Sequence, residues 1–182
     1  MPARTGQQYM DGLSNHPAEV WIGGEKVKDV TTHPAFQNGV RSLASLYDMQ
    51  HDPATRDEMT FKSPSSGEPV GLSFIVPKTV ADLERRRRMM TNWAWESCGM
   101  MARTPDFLNS AVSGWAGSSD YFIDNRPEFK KNVERYHEYI RENDLTLTHT
   151  LVNLQRSRNH TIFDNIEDHV ALTVADENSD GI

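Results

Sequence analysis

Thr79-Val80-Ala81-Asp82-Leu83-Glu84-Arg85-Arg86-Arg87-Arg88-Met89-Met90-Thr91-Asn92-Trp93-Ala94-Trp95-Glu96-Ser97-Cys98-Gly99-Met100-Met101-Ala102-Arg103-Thr104-Pro105-Asp106-Phe107 is the stretch on which the fold turns. Thr79 suits a helix N-cap. Val80, Leu83, Met90, Trp93, Ala94, Ser97 and Met101 keep a 3.6-residue period, which predicts a long central helix to about Ala102. Four successive arginines on a helix point around its circumference, so three are expected in solvent. Arg87, which falls on the apolar stripe, is the candidate for an ion pair or a subunit contact. Trp93 reads as core, and Trp95 as a cover for a neighbour or an interface. Thr104-Pro105-Asp106 then supplies a cap and a first-turn proline for a second helix, with Leu108, Ala111, Val112 and Trp115 as its inward stripe.

Outward from this pair the same rules apply. Upstream, Thr5 to Leu13 reads as a short helix closed by Ser14, Asn15 and Pro17. A hairpin is expected from Val20–Ile22 and Val27–Val30 around Gly23-Gly24. Thr32-His33-Pro34 marks another helix start, with Phe36, Val40, Leu43 and Tyr47 facing in and Asp52-Pro53 as its end. Residues 60–77 read as an ordered loop whose apolar piece, Val70 to Val76, crosses the core. Downstream, Asn125, Pro127 and Glu128 open a helix with Phe129, Val133, Tyr136 and Ile140 inward and Asn143 at its end. After Asp144 the pattern alternates, in Leu145 to Val152 and again at Val170, Leu172 and Val174. A helical domain over 1–143 is therefore expected, followed over 144–182 by the first strands of an incomplete β domain.

The 182 residues suffice for one domain with a sizeable core. Seven Phe, five Tyr, four Trp and eight Met spread through periodic segments argue for a folded body. With 26 acidic and 19 basic side chains the net charge is −7, which disfavours general nucleic-acid binding. The single cysteine, Cys98, excludes an internal disulfide and any site built from several thiolates of this chain, and fits a reducing cytosol. Met1 to Met10 lacks an apolar signal core, and no run approaches 18 apolar residues, so a cytoplasmic protein outside the membrane is expected.

Few residues announce chemistry. Arg103 stands at a helix end beside the start of the next helix, where a guanidinium and free backbone N–H groups suit a phenolate, a carboxylate or a peroxide-type anion. Spacing alone favours the plainer alternative, in which Arg103 caps the preceding helix and pairs with Asp106. His149 lies in a Thr-rich, otherwise apolar segment. It reads as a general acid or base or, more simply, as a donor held by a backbone carbonyl. The remaining histidines follow no metal-ligand spacing, so no protein-held metal is expected. Walker, G-x-G-x-x-G and G-x-S-x-G motifs are absent.

Arg4-Thr5-Gly6-x-x-Tyr9, Val20-Trp21-x-Gly23, Asp29-Val30-Thr31-x-His33-Pro34-x-Phe36, Leu46-Tyr47-Asp48, Gly67-x-Pro69-x-Gly71-x-Ser73-Phe74, Arg103-Thr104-Pro105-Asp106-Phe107 and Leu147-Thr148-His149-x-x-Val152-Asn153-x-Gln155 occur in that order. Together they resemble the oxygenase-component family of 4-hydroxyphenylacetate 3-monooxygenase, which includes chlorophenol monooxygenases and is related to 4-hydroxybutyryl-CoA dehydratase. The resemblance implies a mainly α fold: an acyl-CoA-dehydrogenase-like N-terminal helical domain with a small hairpin, and the opening strands of a middle β domain. It further implies an oxygenase that takes FADH2 from a separate reductase, uses molecular oxygen through a flavin C4a-hydroperoxide, and hydroxylates 4-hydroxyphenylacetate or a related phenol ortho to its hydroxyl. A homo-oligomer is implied for the full-length protein, and little activity for this portion alone.

Carried over by position, Arg103 and His149 become the catalytic pair. Arg103, Thr104, Pro105, Asp106, Phe107 and His149 become the substrate contacts, and His149, Gln155, Arg156, Ser157 and Arg158 the flavin contacts. Phe107 stands where hydroxyphenylacetate enzymes commonly carry Tyr, which removes a hydroxyl; Leu154 and Ser157 stand where Pro and Asp are typical. The dehydratase branch needs several cysteines, and the residue four after Cys98 is Ala102. Two other readings remain open: a non-catalytic or split-subunit helical module that needs a separate C-terminal half, and a small-molecule binder without a redox role.

Overall fold

The computed structural model describes residues 3–99, 105–123 and 126–147, with backbone only for Pro105 and Asp106. All of them belong to the first of two compact units of the chain, Met1–Leu147. Arg103, Thr104, His149, Gln155, Arg156, Ser157 and Arg158 lie outside the described residues, as do the strands expected after 147.

Local signals set the first half. Thr5 caps α1 (Gly6–Asn15): its hydroxyl accepts from Gln8 N, and the Gln8 side chain accepts from Thr5 N. Gly6 is demanded by the approach of the next long helix, because a Cβ there would sit 2.5 Å from the Ala44 carbonyl oxygen. β1 (Trp21–Ile22) and β2 (Glu25–Lys26) pair around Gly23 and Gly24, whose φ values of 59° and 84° require glycine-like freedom. The second strand thus falls earlier than Val27–Val30. After Val27 the chain leaves the ladder, because the Asp29 carboxylate accepts from Thr31 N and Oγ and curls the backbone.

A turn closed on the His33 carbonyl also delays α2 (Gln37–Asp48) beyond the expected start at Thr32–Pro34. Val40 and Tyr47 are buried as expected, Leu43 and Phe36 half-buried, and Ala44 and Leu46 are added to the core. Tyr9 stacks on Tyr47 with ring centroids 5.0 Å apart and fastens α1 to α2.

The 60–77 segment holds more structure than a loop. Short α3 (Arg56–Met59) leads into β3 (Thr60–Lys62), which pairs antiparallel with β4 (Pro69–Gly71). The chain then turns through a 3-10 helix, Leu72–Phe74, whose side chains are buried. The expected core-crossing piece is therefore present, and its turn leaves several carbonyls without ladder partners.

Those carbonyls decide which face of α4 (Val80–Glu96) is inward. Arg86 is buried and donates to Ser73 O at 3.2 Å, Ile75 O at 3.1 Å, and the Ser110 hydroxyl. The buried arginine is Arg86 and not Arg87. The packed positions are Arg86, Met89 and Trp93, while Val80 and Leu83 are 73% and 56% exposed. The helix face is rotated from the one its aliphatic side chains suggest, because three hydrogen bonds from the buried guanidinium, two of them to carbonyls outside any ladder, outweigh the burial of Val80 and Leu83. α4 also ends short of Ala102. Cys98 and Gly99 follow one another with φ of 53° and 81°, and two left-handed residues in series cannot continue a right-handed helix.

α5 (Pro105–Gly117) begins at the expected proline; Val112 is buried and Leu108 and Ala111 half-buried as expected, but Asn109 and Ser113 are also buried and Trp115 is exposed. α6 (Pro127–Glu142) has proline in its first turn and Asn143 at its end, as expected. His137, Ile140 and Arg141 are buried, Val133 is half-buried, and Phe129 and Tyr136 are exposed. Residues 145–147 carry no strand pairing among the described residues. The main core joins Leu46, Met59, Leu72, Ile75, Met89 and Trp93, and a second joins Phe74, Val112 and Ile140. No helix among the described residues is long and apolar enough to cross a membrane.

Candidate functional site

α4 and α5 flank residues 100–104, which lie outside the described residues and include Arg103, the residue that the sequence marks for anion chemistry. Pro105 opens α5, whose first-turn N–H groups have no intrahelical acceptor. Of the substrate contacts expected there, Phe107 is the one described with its side chain, and it is half exposed, on the first turn. At the end of α4 a cavity of about 410 Å³ is lined by Thr91, Ala94, Trp95, Cys98 and Gly99. Trp95 lies 83% exposed beside it, so among the described residues it covers no neighbour.

The exit of α6, which leads toward His149, is held by a buried polar cluster that the sequence did not announce. Asp144 is buried at φ 46°, and its Oδ2 accepts from Arg4 N at 2.9 Å and from Gln50 Nε2 at 2.8 Å. The Asp144 carbonyl accepts from Arg4 Nε at 2.9 Å, from Arg4 Nη2, and from the Tyr47 hydroxyl at 3.1 Å. Burial pushes the Asp144 carboxyl above the usual carboxylate range, against the pull of Gln50 and Arg4. Burial likewise raises the Tyr47 phenol, with the Asp144 carboxylate adding to it. Gly71 leaves room beside this cluster, since a Cβ there would meet Gln50 Oε1 at 2.7 Å and force that side chain to shift.

A second buried ionisable group, His137, sits at the base of a cavity of about 600 Å³ walled by Phe61, Phe74, Ile75 and Val76. Its Nε2 donates to Phe74 O at 2.9 Å and lies 3.3 Å from Ser113 Oγ. Burial lowers its pKa, keeping the ring neutral. Beside it Arg141 donates to Glu142 at 2.8 Å and to Ser65 at 2.8 Å. Burial alone would raise Glu142, but hydrogen bonds from Ser63, Ser66 and Arg141 hold its carboxyl below the ordinary value. The signal for His137 was available: it stands four after Val133 and three before Ile140, on the inward stripe of α6. Among the described residues no group of three or more His, Cys, Asp or Glu could hold a metal ion.

The family described as 4-hydroxyphenylacetate 3-hydroxylase N terminal matches residues 5–182. The chain belongs to this family. The 4-hydroxyphenylacetate 3-monooxygenase oxygenase component of Geobacillus sp. (strain PA-9) is 43% identical over 182 residues, covering 100% of this chain and 36% of that protein. The same component from Thermus thermophilus is 46% identical over 156 residues, 86% of this chain and 31% of its own. A crystal structure of the oxygenase component HpaB complexed with FAD and 4-hydroxyphenylacetate superposes with a TM-score of 0.84 at 41% identity, covering 99% of this chain and 37% of that one.

This member of the 4-hydroxyphenylacetate 3-hydroxylase N-terminal family thus spans about a third of the length of the relatives it matches. Its fold is mainly helical and acyl-CoA-dehydrogenase-like, as the resemblance implied. An archaeal 4-hydroxybutyryl-CoA dehydratase, 18% identical with a TM-score of 0.66, shares the fold.

Proposed function

We propose that this chain is the N-terminal portion of the oxygenase component of a two-component, FADH2-dependent phenol monooxygenase. The observation that carries the reading is the family match over residues 5–182, joined to the 0.84 TM-score with an oxygenase component that holds FAD and 4-hydroxyphenylacetate. The substrate class is 4-hydroxyphenylacetate or a related phenol, and the working protein is cytoplasmic and homo-oligomeric and receives its reduced flavin from a separate reductase. Residues 144–182 are proposed as the opening of a middle β domain.

The donor set fits the ligands. Arg103 and the first-turn N–H groups of α5 would supply a cationic corner for a phenolate, with Thr104, Pro105 and Asp106 as its neighbours in sequence and the Phe107 ring as an apolar group without a hydroxyl to offer. His149 holds or accepts the proton that the phenol gives up as it becomes nucleophilic at its ortho carbon. Gln155, Arg156, Ser157 and Arg158 carry amide, hydroxyl and guanidinium groups of the kind that would hold a flavin, and His149 would serve the same ligand. Bound reduced flavin supplies two electrons and activates molecular oxygen, so that one oxygen atom enters the ring and the other leaves as water. The protein's share is position, charge and exclusion of water.

The test is a chimera in which residues 1–182 of this chain replace the matching third of the Geobacillus relative. With a flavin reductase and 4-hydroxyphenylacetate it is expected to form the ortho-hydroxylated product, and Arg103→Ala or His149→Ala should lower kcat/KM by about 100-fold or more. A folded, FAD-binding chimera that only wastes reducing equivalents, or whose turnover ignores both substitutions, contradicts the proposal.

A further inference from the structure

Two side-chain atoms among the described residues are sealed from solvent without any hydrogen-bond partner: the Trp93 indole Nε1 and the Asn109 Oδ1. Buried polar groups are almost always paired, and leaving one orphaned costs about 1–3 kcal/mol. Asn109 already gives its Nδ2 to Ser73 Oγ at 2.9 Å, so its free oxygen is an acceptor, and the indole N–H is only a donor. Both residues line one small cavity, with Leu46, Gln50, Asp144 and Leu145 among its other walls. Its water-accessible volume is about 10 Å³, close to the ~10–15 Å³ that one water molecule requires.

We infer that this cavity holds a single buried water that accepts from Trp93 Nε1–H and donates to Asn109 Oδ1. Asp144 and Gln50 carry oxygens on the same wall for its second proton, which gives it the two to four partners of a structural water. The water joins the last turn of α4, the second turn of α5 and the exit of α6. Asn109 follows Arg103 by six positions and Leu145 precedes His149 by four, so it ties down the described stretches nearest the proposed phenolate pair. That last consequence rests on the function proposed above; the water does not.

The experiment is magnetisation transfer from water to the indole N–H groups of the 182-residue chain, which has four tryptophans to compare. Trp93 Nε1–H is expected to show a cross-peak of the sign given by a water resident well beyond nanoseconds, and exposed Trp21, Trp95 and Trp115 are not. Asn109→Leu, which offers no acceptor, should abolish that peak. It should also lower hydrogen-exchange protection about tenfold or more at Ser97 N and Leu145 N while leaving Tyr9 N in α1 unchanged. No long-lived water at Trp93, a peak that survives Asn109→Leu, or a uniform loss of protection overturns the proposal. Should that variant not fold, a high-resolution crystal structure of the wild-type chain decides: one water between the two atoms supports the proposal, and an empty cavity or a direct contact refutes it.

Discussion

Asp144 and His137 are both buried ionisable side chains near the end of α6, yet the protein treats them in opposite ways. Asp144 is surrounded by donors from two parts of the chain, Arg4 and the stretch from Tyr47 to Gln50 at the end of α2, which bond its carboxylate and its carbonyl. His137 has one strong bond, to Phe74 O, and otherwise faces the floor of a wide cavity. The first is a clasp that closes the N-terminus onto the exit of α6. The second is a neutral group that burial keeps uncharged, with far less built around it. The number of partners that removal would orphan should therefore rank their contributions.

The largest expected effect is on the clasp. Asp144→Ala orphans the Arg4 N–H and the Gln50 amide and puts a Cβ-bearing residue without local hydrogen bonding at positive φ, so a loss of about 3 kcal/mol or more is expected in chemical denaturation. His137→Phe, which orphans Phe74 O and removes the weaker contact with Ser113 Oγ, should cost about 1–3 kcal/mol. A larger loss for His137→Phe would reverse the ranking.

The pair also separates by pH. The folded pKa of His137 lies below its ordinary value of 6.5, so the unfolded chain binds the proton more readily. Its contribution to stability is therefore present above that value and is lost as pH falls through 6.5 toward the folded pKa. Asp144 has the reverse sign: its folded pKa lies above 3.8, and stability contributed by the retained proton is lost as pH rises from 3.8 toward the raised value. Stability against pH should lose its slope just below 6.5 in His137→Gln and its slope above 3.8 in Asp144→Asn. Parallel curves for wild type and His137→Gln near pH 6 would break the contrast.

Two smaller changes calibrate these. Gly6→Ala forces a Cβ against the Ala44 carbonyl and should cost about 1–3 kcal/mol by prying α1 from α2. Thr5→Ala removes only a cap, for about 1 kcal/mol.

What the sequence made legible follows from range. Thr5 with Gln8, Thr79 with Asp82 and Pro127 act on neighbours within a few residues, and the helices they start are where the sequence places them; Gly23-Gly24 turn the hairpin as expected, though its second strand comes early. The faces of those elements were harder. Val80 and Leu83 look inward by period, but the inward side of α4 is chosen by Arg86 reaching the carbonyls of Ser73 and Ile75, oxygens whose lack of partners depends on a turn elsewhere in the chain. Asn109, Ser113 and Asp144 were missed for the same reason: hydrophobic periodicity has no term for a polar group that is welcome in the core because something distant needs it. Arg103 and His149 were reached through the resemblance and through the charge at a helix end, and both lie outside the described residues, with Phe107 exposed on the first turn of α5.

The account rests on a cationic corner that prefers a phenol in its ionised form. The direct measurement is the acid dissociation of a chromogenic phenol, 4-nitrophenol, bound to the chimera and followed by the absorbance of its anion. The account predicts that the bound phenol ionises at lower pH than the free one, by a unit or more (about 1.4 kcal/mol), and that Arg103→Ala abolishes the difference. A bound phenol that ionises at the same or higher pH than in water contradicts it.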